Sequence, residues 1–139
     1  MAKKIFVNLP VKDLNRSMEF FKKMGYEFNP QFTDETGACM VISEDIYTML
    51  LTNDKFKQFT PKEIADASTS TEVITCLSCD SKDELNELME KAISAGASEN
   101  GEPIDYGFMF QRSYSDLDGH IWELIWMDEN GISETNDEN

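Results

Sequence analysis

The chain has 139 residues, 27 acidic and 12 basic, for a formal net charge of −15. That length fits one compact domain with a real core, since domains run to roughly 100 to 200 residues. The charge excludes non-specific binding to a phosphate backbone, so no nucleic-acid partner is expected. Its usual meaning is simple solubility, with an attraction for cationic ligands as the lesser alternative. No run of about 18 apolar residues is present, and the opening "MAKKIFVNLPVKDL" carries no apolar run of signal-peptide length. The expectation is a soluble, cytoplasmic protein without a membrane partner. The end, "DENGISETNDEN", holds five acids and no base, and residues 129–139 read as an acidic, disordered tail.

The first predicted strand is "KKIFVNLPV", and the helix "KDLNRSMEFFKKMG" follows with Leu14, Met18, Phe21 and Met24 at helical spacing. Asp13 or Asn15 caps its start, and Gly25 suits the left-handed position that ends a helix. Three β-rich pieces come next, "YEFNPQFTD", "ACMVISE" and "DIYTMLLT", separated by turn residues. Residues 53–71 form a polar linker that carries Phe56 and Phe59, long enough to act as a lid, an interface arm or a spacer.

The second half repeats the order. "EVITCLSCD" is a strand, and "SKDELNELMEKAISAG" is a helix with an S-x-x-E capping box at Ser81 and Glu84. Its apolar stripe is Leu85, Leu88, Met89 and Ile93, and Gly96 closes it. "SENGEPIDY" and "FMFQRSYSD" follow as strands, and Asp118-Gly119 turns the chain into "HIWELIWMD". The plan is βαβββ twice, an α+β fold with one module at about 3–52 and the other at about 72–128, together one domain over 1–128. The closing strands align Ile46 with Ile121, Tyr47 with Trp122 and Thr48 with Glu123.

The three cysteines, Cys39, Cys76 and Cys79, read as free thiols. "CLSC" imitates a redox or zinc knuckle, but residues three apart on a strand face opposite ways and no second ligand pair exists. Cys76 and Cys79 are expected to be buried apolar thiols.

The segments "VKDLNRSMEFFKKMGYEF" and "DLDGHIWELIWMD" resemble the hallmark segments of the vicinal oxygen chelate superfamily, which includes glyoxalase I, bleomycin-resistance proteins, fosfomycin-resistance enzymes and extradiol dioxygenases. The similarity covers about residues 3 to 128 and is greatest to small bacterial lactoylglutathione lyase-like proteins of unassigned activity. The resemblance implies the glyoxalase/bleomycin-resistance/dioxygenase fold, in which two βαβββ modules roll into a paired half-barrel cup, and a homodimer. Metal-dependent members place a divalent ion there, held by residues of the first and last strands of each module.

At the matching positions this chain has Phe6, then Thr48 or Leu50, then Ile74, and finally Glu123. Of these only Glu123 resembles a family ligand, and one carboxylate does not hold a catalytic metal against water. No cofactor and no metal are therefore expected at the usual place. A shifted divalent site at Asn8, Cys76 and Glu123 is a minor alternative, since Asn8 and Cys76 each lie two residues beyond Phe6 and Ile74. His120, the chain's one histidine, falls on the strand face opposite Glu123 and reads as a hairpin residue. Trp122, Trp126 and Tyr47 read as packing residues. Tyr106, Phe108 and Phe110 are candidates to line the cup, with Arg112 near them to pair with Glu123 or with a ligand carboxylate.

The leading expectation is a metal-free binding protein of the bleomycin-resistance-like kind. It would take an unknown small molecule against Phe6, Asn8, Thr48, Leu50, Ile74, Cys76, Phe108, Phe110 and Arg112, with Glu123 orienting a polar group. One alternative is a glyoxalase-like lyase or isomerase acting on an unknown substrate, with Glu123 as general base. The other is a non-catalytic dimeric scaffold.

Overall fold

A computed structural model describes residues 3–128, and the expected acidic tail lies outside the described residues. The chain divides into two units, Met1–Asp66 and Ala67–Asn139. Unit 1 runs β1 (Ile5–Val11), α1 (Leu14–Lys23), β2 (Glu27–Asn29), a 3-10 turn (Pro30–Phe32), β3 (Gly37–Val41), β4 (Ile46–Thr52) and α2 (Asn53–Lys57). Its sheet has the order β1-β4-β3-β2, with β1 and β4 parallel and the other neighbours antiparallel. Unit 2 runs β5 (Ile74–Ser78), α3 (Lys82–Ser94), β6 (Ser98–Glu99), β7 (Ile104–Asp105), β8 (Met109–Ser115) and β9 (Ile121–Met127). Its sheet has the order β5-β9-β8-β6, with β7 also paired to β8 and with β5 and β9 parallel. Unit 1 thus follows the βαβββ plan expected from the sequence, and unit 2 follows it with the strand after its helix split into β6 and β7, an α+β fold. No helix among the described residues is long and apolar enough to cross a membrane.

Local chemistry explains these elements. The Asp13 side chain accepts the Arg16 N–H at 3.1 Å to start α1, and Gly25 ends it with a φ of +104°. For α3, Ser81 accepts the Glu84 N–H at 3.0 Å, and the Glu84 carboxylate reaches back to the Asp80 N–H at 2.9 Å. Pro30 breaks the expected strand "YEFNPQFTD" after Asn29, whose side chain accepts the Gln31 N–H and turns the chain into the 3-10 segment. "SENGEPIDY" likewise forms two short strands, because Gly101 and Pro103 interrupt it. The expected linker opens with a helical turn, α2, capped by the Thr52 hydroxyl.

Alternation along each strand gives each sheet two different faces. In unit 1 the row Val7, Thr48, Met40 and Phe28 lies on the α1 side, where Lys22 of α1 sits over the Phe28 ring at 5.9 Å. Leu9, Val11, Phe20, Phe21, Met24, Met40 and Leu50 are buried and form this core. In unit 2 the α3 side carries Tyr114, Trp122 and Leu124, all at 0% exposure, and Leu85 and Met89 of the helix are buried with them. The apolar stripe read from the sequence is shifted at its ends, since Ile93 is exposed and Ala92 is buried.

The β8–β9 connection is built around one carboxylate. Asp116 accepts the Asp118 and His120 backbone N–H groups and the Trp122 indole N–H, each at 3.0 Å. Asp116 and His120 also pair through the backbone, with the Asp116 N–H donating to the His120 carbonyl at 2.9 Å. Gly119 takes a φ of +96°, and a Cβ there would stand 2.7 Å from the Ala67 carbonyl oxygen. No other residue type fits that turn without moving backbone.

Burial holds the Asp116 carboxyl above its ordinary value of 3.8, against the lowering pull of His120 and of the three donors. The folded chain therefore keeps this proton to a higher pH than the unfolded chain. Stability is lost as pH rises from about 4 through the folded value, the reverse of an ion-paired carboxylate. Urea unfolding followed by tryptophan fluorescence should show that segment of pH dependence flattened in Asp116→Asn, while Asp116→Ala loses about 2 to 3 kcal/mol by stranding the indole and turn donors. Thr48 offers a change of opposite sign, because its buried hydroxyl has no hydrogen-bond partner among the described residues. Thr48→Val keeps the shape and removes the stranded hydroxyl, so the unfolding midpoint should rise, by about 1 kcal/mol in free energy.

Candidate functional site

The faces turned away from the helices hold the polar and apolar groups that a ligand can reach. In unit 2 the register sets Ser113 of β8, Glu123 of β9 and Cys76 of β5 side by side in one row across three strands. Glu123 is half-buried. Gln111, two residues before Ser113 on the same face, donates its side-chain N–H to the Glu123 carboxylate at 3.1 Å. Ser113 donates its hydroxyl to the Asn100 carbonyl at 3.2 Å. Ile121 and Ile125 flank Glu123 along β9, and Ile74, 49% exposed, stands two residues from Cys76 on β5.

Cys76 is exposed, contrary to the buried thiol expected, because β5 is the edge strand and its alternate residues face away from α3. Partial desolvation pushes its thiol up to about 11, and the neighbouring Glu123 carboxylate adds to the rise by its charge and by a hydrogen bond. Cys79 is buried as expected and is also raised to about 11, by burial first and then by Glu84 and Asp80.

Unit 1 offers a different surface. Phe6 and Tyr47 are register partners on the helix-free face and stack with ring centroids 4.7 Å apart and planes 10° from parallel. Phe6 is 50% exposed, and Asn8 is exposed two residues further along β1. Tyr47 lies on the face away from α1, so it does not pack against that helix.

Four residues expected to line a cup lie elsewhere. Thr48 and Leu50 are fully buried on the α1 side, opposite Phe6 and Asn8. The pairing of Phe6 with Tyr47 and of Ile74 with Ile121 shows why the sequence alignment missed: the counterpart of Glu123 in unit 1 is Met49, one residue beyond Thr48. Phe110 lies on the α3 side, beneath the Lys82 ammonium at 5.5 Å. Arg112 is on that side as well, donating to Glu99 through two nitrogens at 2.9 Å each and to Asn86 at 2.8 Å. This fork holds Glu99 below the usual carboxylate range and raises Arg112. Arg112 pairs with Glu99 rather than with Glu123, so it clamps α3 to the sheet. Phe108 precedes β8, is 37% exposed, and accepts the Asp128 N–H through its backbone carbonyl at 2.7 Å.

Phe6 and Met49 in unit 1 hold the same positions on the first and last strands of their unit as Ile74 and Glu123 do in unit 2. Among the described residues, no three His, Cys, Asp or Glu side chains group closely enough to hold a metal.

Residues 3–43 match the family model for the bleomycin resistance protein-like N-terminal region. Among solved structures, a hypothetical protein from S. aureus is 26% identical with a TM-score of 0.76, covering 91% of this chain and 95% of that one. A glyoxalase/bleomycin resistance protein/dioxygenase family enzyme from Burkholderia phytofirmans is 14% identical with a TM-score of 0.74, covering 91% and 99%. Over residues 3–43 the chain is thus similar to the bleomycin resistance protein-like N-terminal family, and its fold is that of glyoxalase/bleomycin resistance/dioxygenase structures. A fosfomycin resistance protein from Listeria monocytogenes shares the fold at 18% identity and a TM-score of 0.65, covering 91% of each chain. A search of curated proteins gives no match.

Gln111 and Ser113 were missed from sequence. They sit at alternate positions of "MFQRSYS", either side of Arg112, and period-two parity from Glu123 would have found them had the hairpin register been fixed first.

The Cys76–Glu123 contact is testable by chemistry. Glu123→Gln removes a neighbouring negative charge that disfavours the thiolate, so the Cys76 value should fall and its alkylation by iodoacetamide at pH 8 should quicken roughly two- to fivefold. Mass-spectrometric mapping should show Cys39 and Cys79, both buried, unchanged. Equal Cys76 rates in the two proteins would sink the contact.

Proposed function

We propose that this chain is a binding protein of the superfamily that takes a small molecule against the helix-free face of unit 2 and works without the usual divalent metal. The observation that carries this reading is the placement of Glu123: a carboxylate steadied by Gln111, among isoleucines, on a face left accessible. Such a setting orients one polar group of a ligand while the alkyl surface takes its apolar body. Phe6, Tyr47, Met49 and Asn8 offer a second, more aromatic surface in unit 1. We further propose that the protein is cytoplasmic and a homodimer, a state that would cover exposed apolar residues such as Phe6 and Ile74.

A lyase or isomerase reading has one observation in its favour. Gln111 places an amide donor beside Glu123, so a base and a hydrogen-bond donor stand together, as proton abstraction next to a carbonyl needs. A single neutral donor stabilises an enediolate far less than a metal ion does, and the binding reading is therefore preferred.

Native mass spectrometry of the purified chain tests these points together. The expected spectrum is a dimer with a retained small molecule and no stoichiometric metal, and Glu123→Gln should lose the retained mass. Robust turnover of methylglyoxal with glutathione on adding zinc, nickel or cobalt, abolished by Glu123→Gln, would overturn the proposal.

A further inference from the structure

Resting on that binding reading, we infer that the ligand of the unit 2 face is an organic cation bearing N–H donors, an amine, amidine or guanidine on a compact apolar body. The polar atoms of the face are overwhelmingly acceptors. Glu123 supplies two carboxylate oxygens. The Gln111 amide must present its nitrogen to that carboxylate, because an oxygen there would be repelled, and its carbonyl oxygen is therefore carried next to Glu123 as a further acceptor. The Ser113 hydroxyl spends its hydrogen on the Asn100 carbonyl, which leaves its oxygen to accept. A flat amidinium or an ammonium, with several donors and no acceptor, complements this set.

The cations of unit 2 are placed where they cannot serve an anion on this face. Arg112 is locked to Glu99 and Asn86 on the α3 side. Lys82 lies on α3 against Asp105, Phe110 and Trp126, and Lys91 lies on the same helix. His120 lies in the Asp116 turn. No lysine, arginine or histidine among the described residues occupies a strand position on the helix-free face of the unit 2 sheet. The chain's charge of −15 adds a long-range field of the same sense. Ile121 and Ile125, beside Glu123 on β9, supply apolar contact for the body of the ligand.

The test titrates the full-length, ¹⁵N-labelled chain at low salt with three probes of similar size and different charge: benzamidine, benzyl alcohol and phenylphosphonate. Benzamidine should shift the Gln111 side-chain amide and the backbone signals of Glu123 and Cys76 saturably, and added salt should weaken it. Benzyl alcohol should bind roughly tenfold more weakly, and phenylphosphonate should leave these signals unmoved. Glu123→Gln should cost benzamidine roughly tenfold in affinity. Should that variant fail to fold, Gln111→Leu, which keeps the carboxylate and removes its steadying amide, should cost several-fold. Phenylphosphonate binding as tightly as benzamidine at these residues, or benzamidine binding that neither variant weakens, overturns the cation assignment and leaves the binding face standing. Signals unmoved by all three probes overturn the binding face itself, and the cation assignment falls with it.

Discussion

The Asp116 carboxylate is the constraint on which the candidate site depends. By accepting two turn N–H groups and the Trp122 indole, it fixes how β8 passes into β9. Strand side chains alternate with a period of two, so a slip of one residue would turn Glu123 into the core and bring Trp122 out. Trp122 is itself the largest fully buried side chain, which makes the slipped register costly in apolar burial as well as in hydrogen bonds. The buried acid and the buried indole thus select one register between them, and the half-buried glutamate on the other face is a by-product of that selection.

The two units use the same scaffold for different surfaces. Corresponding strand positions carry Phe6 and Met49 in one and Ile74 and Glu123 in the other. A residue on the helix-free face is not needed to hold the core together, because the opposite face already buries the helix against the sheet. That separation lets the exposed face change its chemistry from aromatic to carboxylate-centred without altering the βαβββ frame. The Arg112 clamp marks the same division from the other side, since it spends a guanidinium on attaching α3 and leaves none for the open face.

Much of the frame was legible in the sequence because it is local. Asp13, Ser81 and Glu84 cap where their spacing says they should, and Gly25 and Gly96 end the helices with positive φ. The strand-to-helix order needed only periodicity. The site was legible in part. Glu123, Phe6, Ile74 and Cys76 can be assigned to the helix-free faces by parity once the strands are known, and the structure places them there. Thr48 and Leu50 were misassigned because an alignment of two closing strands by texture, "DIYTMLLT" against "HIWELIWM", does not reveal a one-residue offset that only β1 and β5 pairing can settle. Arg112 was read as a cup residue from its place near Tyr106, Phe108 and Phe110, yet its partners, Asn86 and Glu99, are distant in sequence. Gln111 lacked any local signal for the same reason.

Gly119 has a bearing on how the start of unit 2 is held. Its bare backbone closes against Ala67, the first residue of the unit, so the entering chain is seated by a turn that lies near the unit's other end. Bringing such distant segments together costs loop-closure entropy before any contact repays it. The start of unit 2 is therefore seated by a long-range contact rather than a local one, and the missing Cβ of residue 119 is what lets the two segments meet.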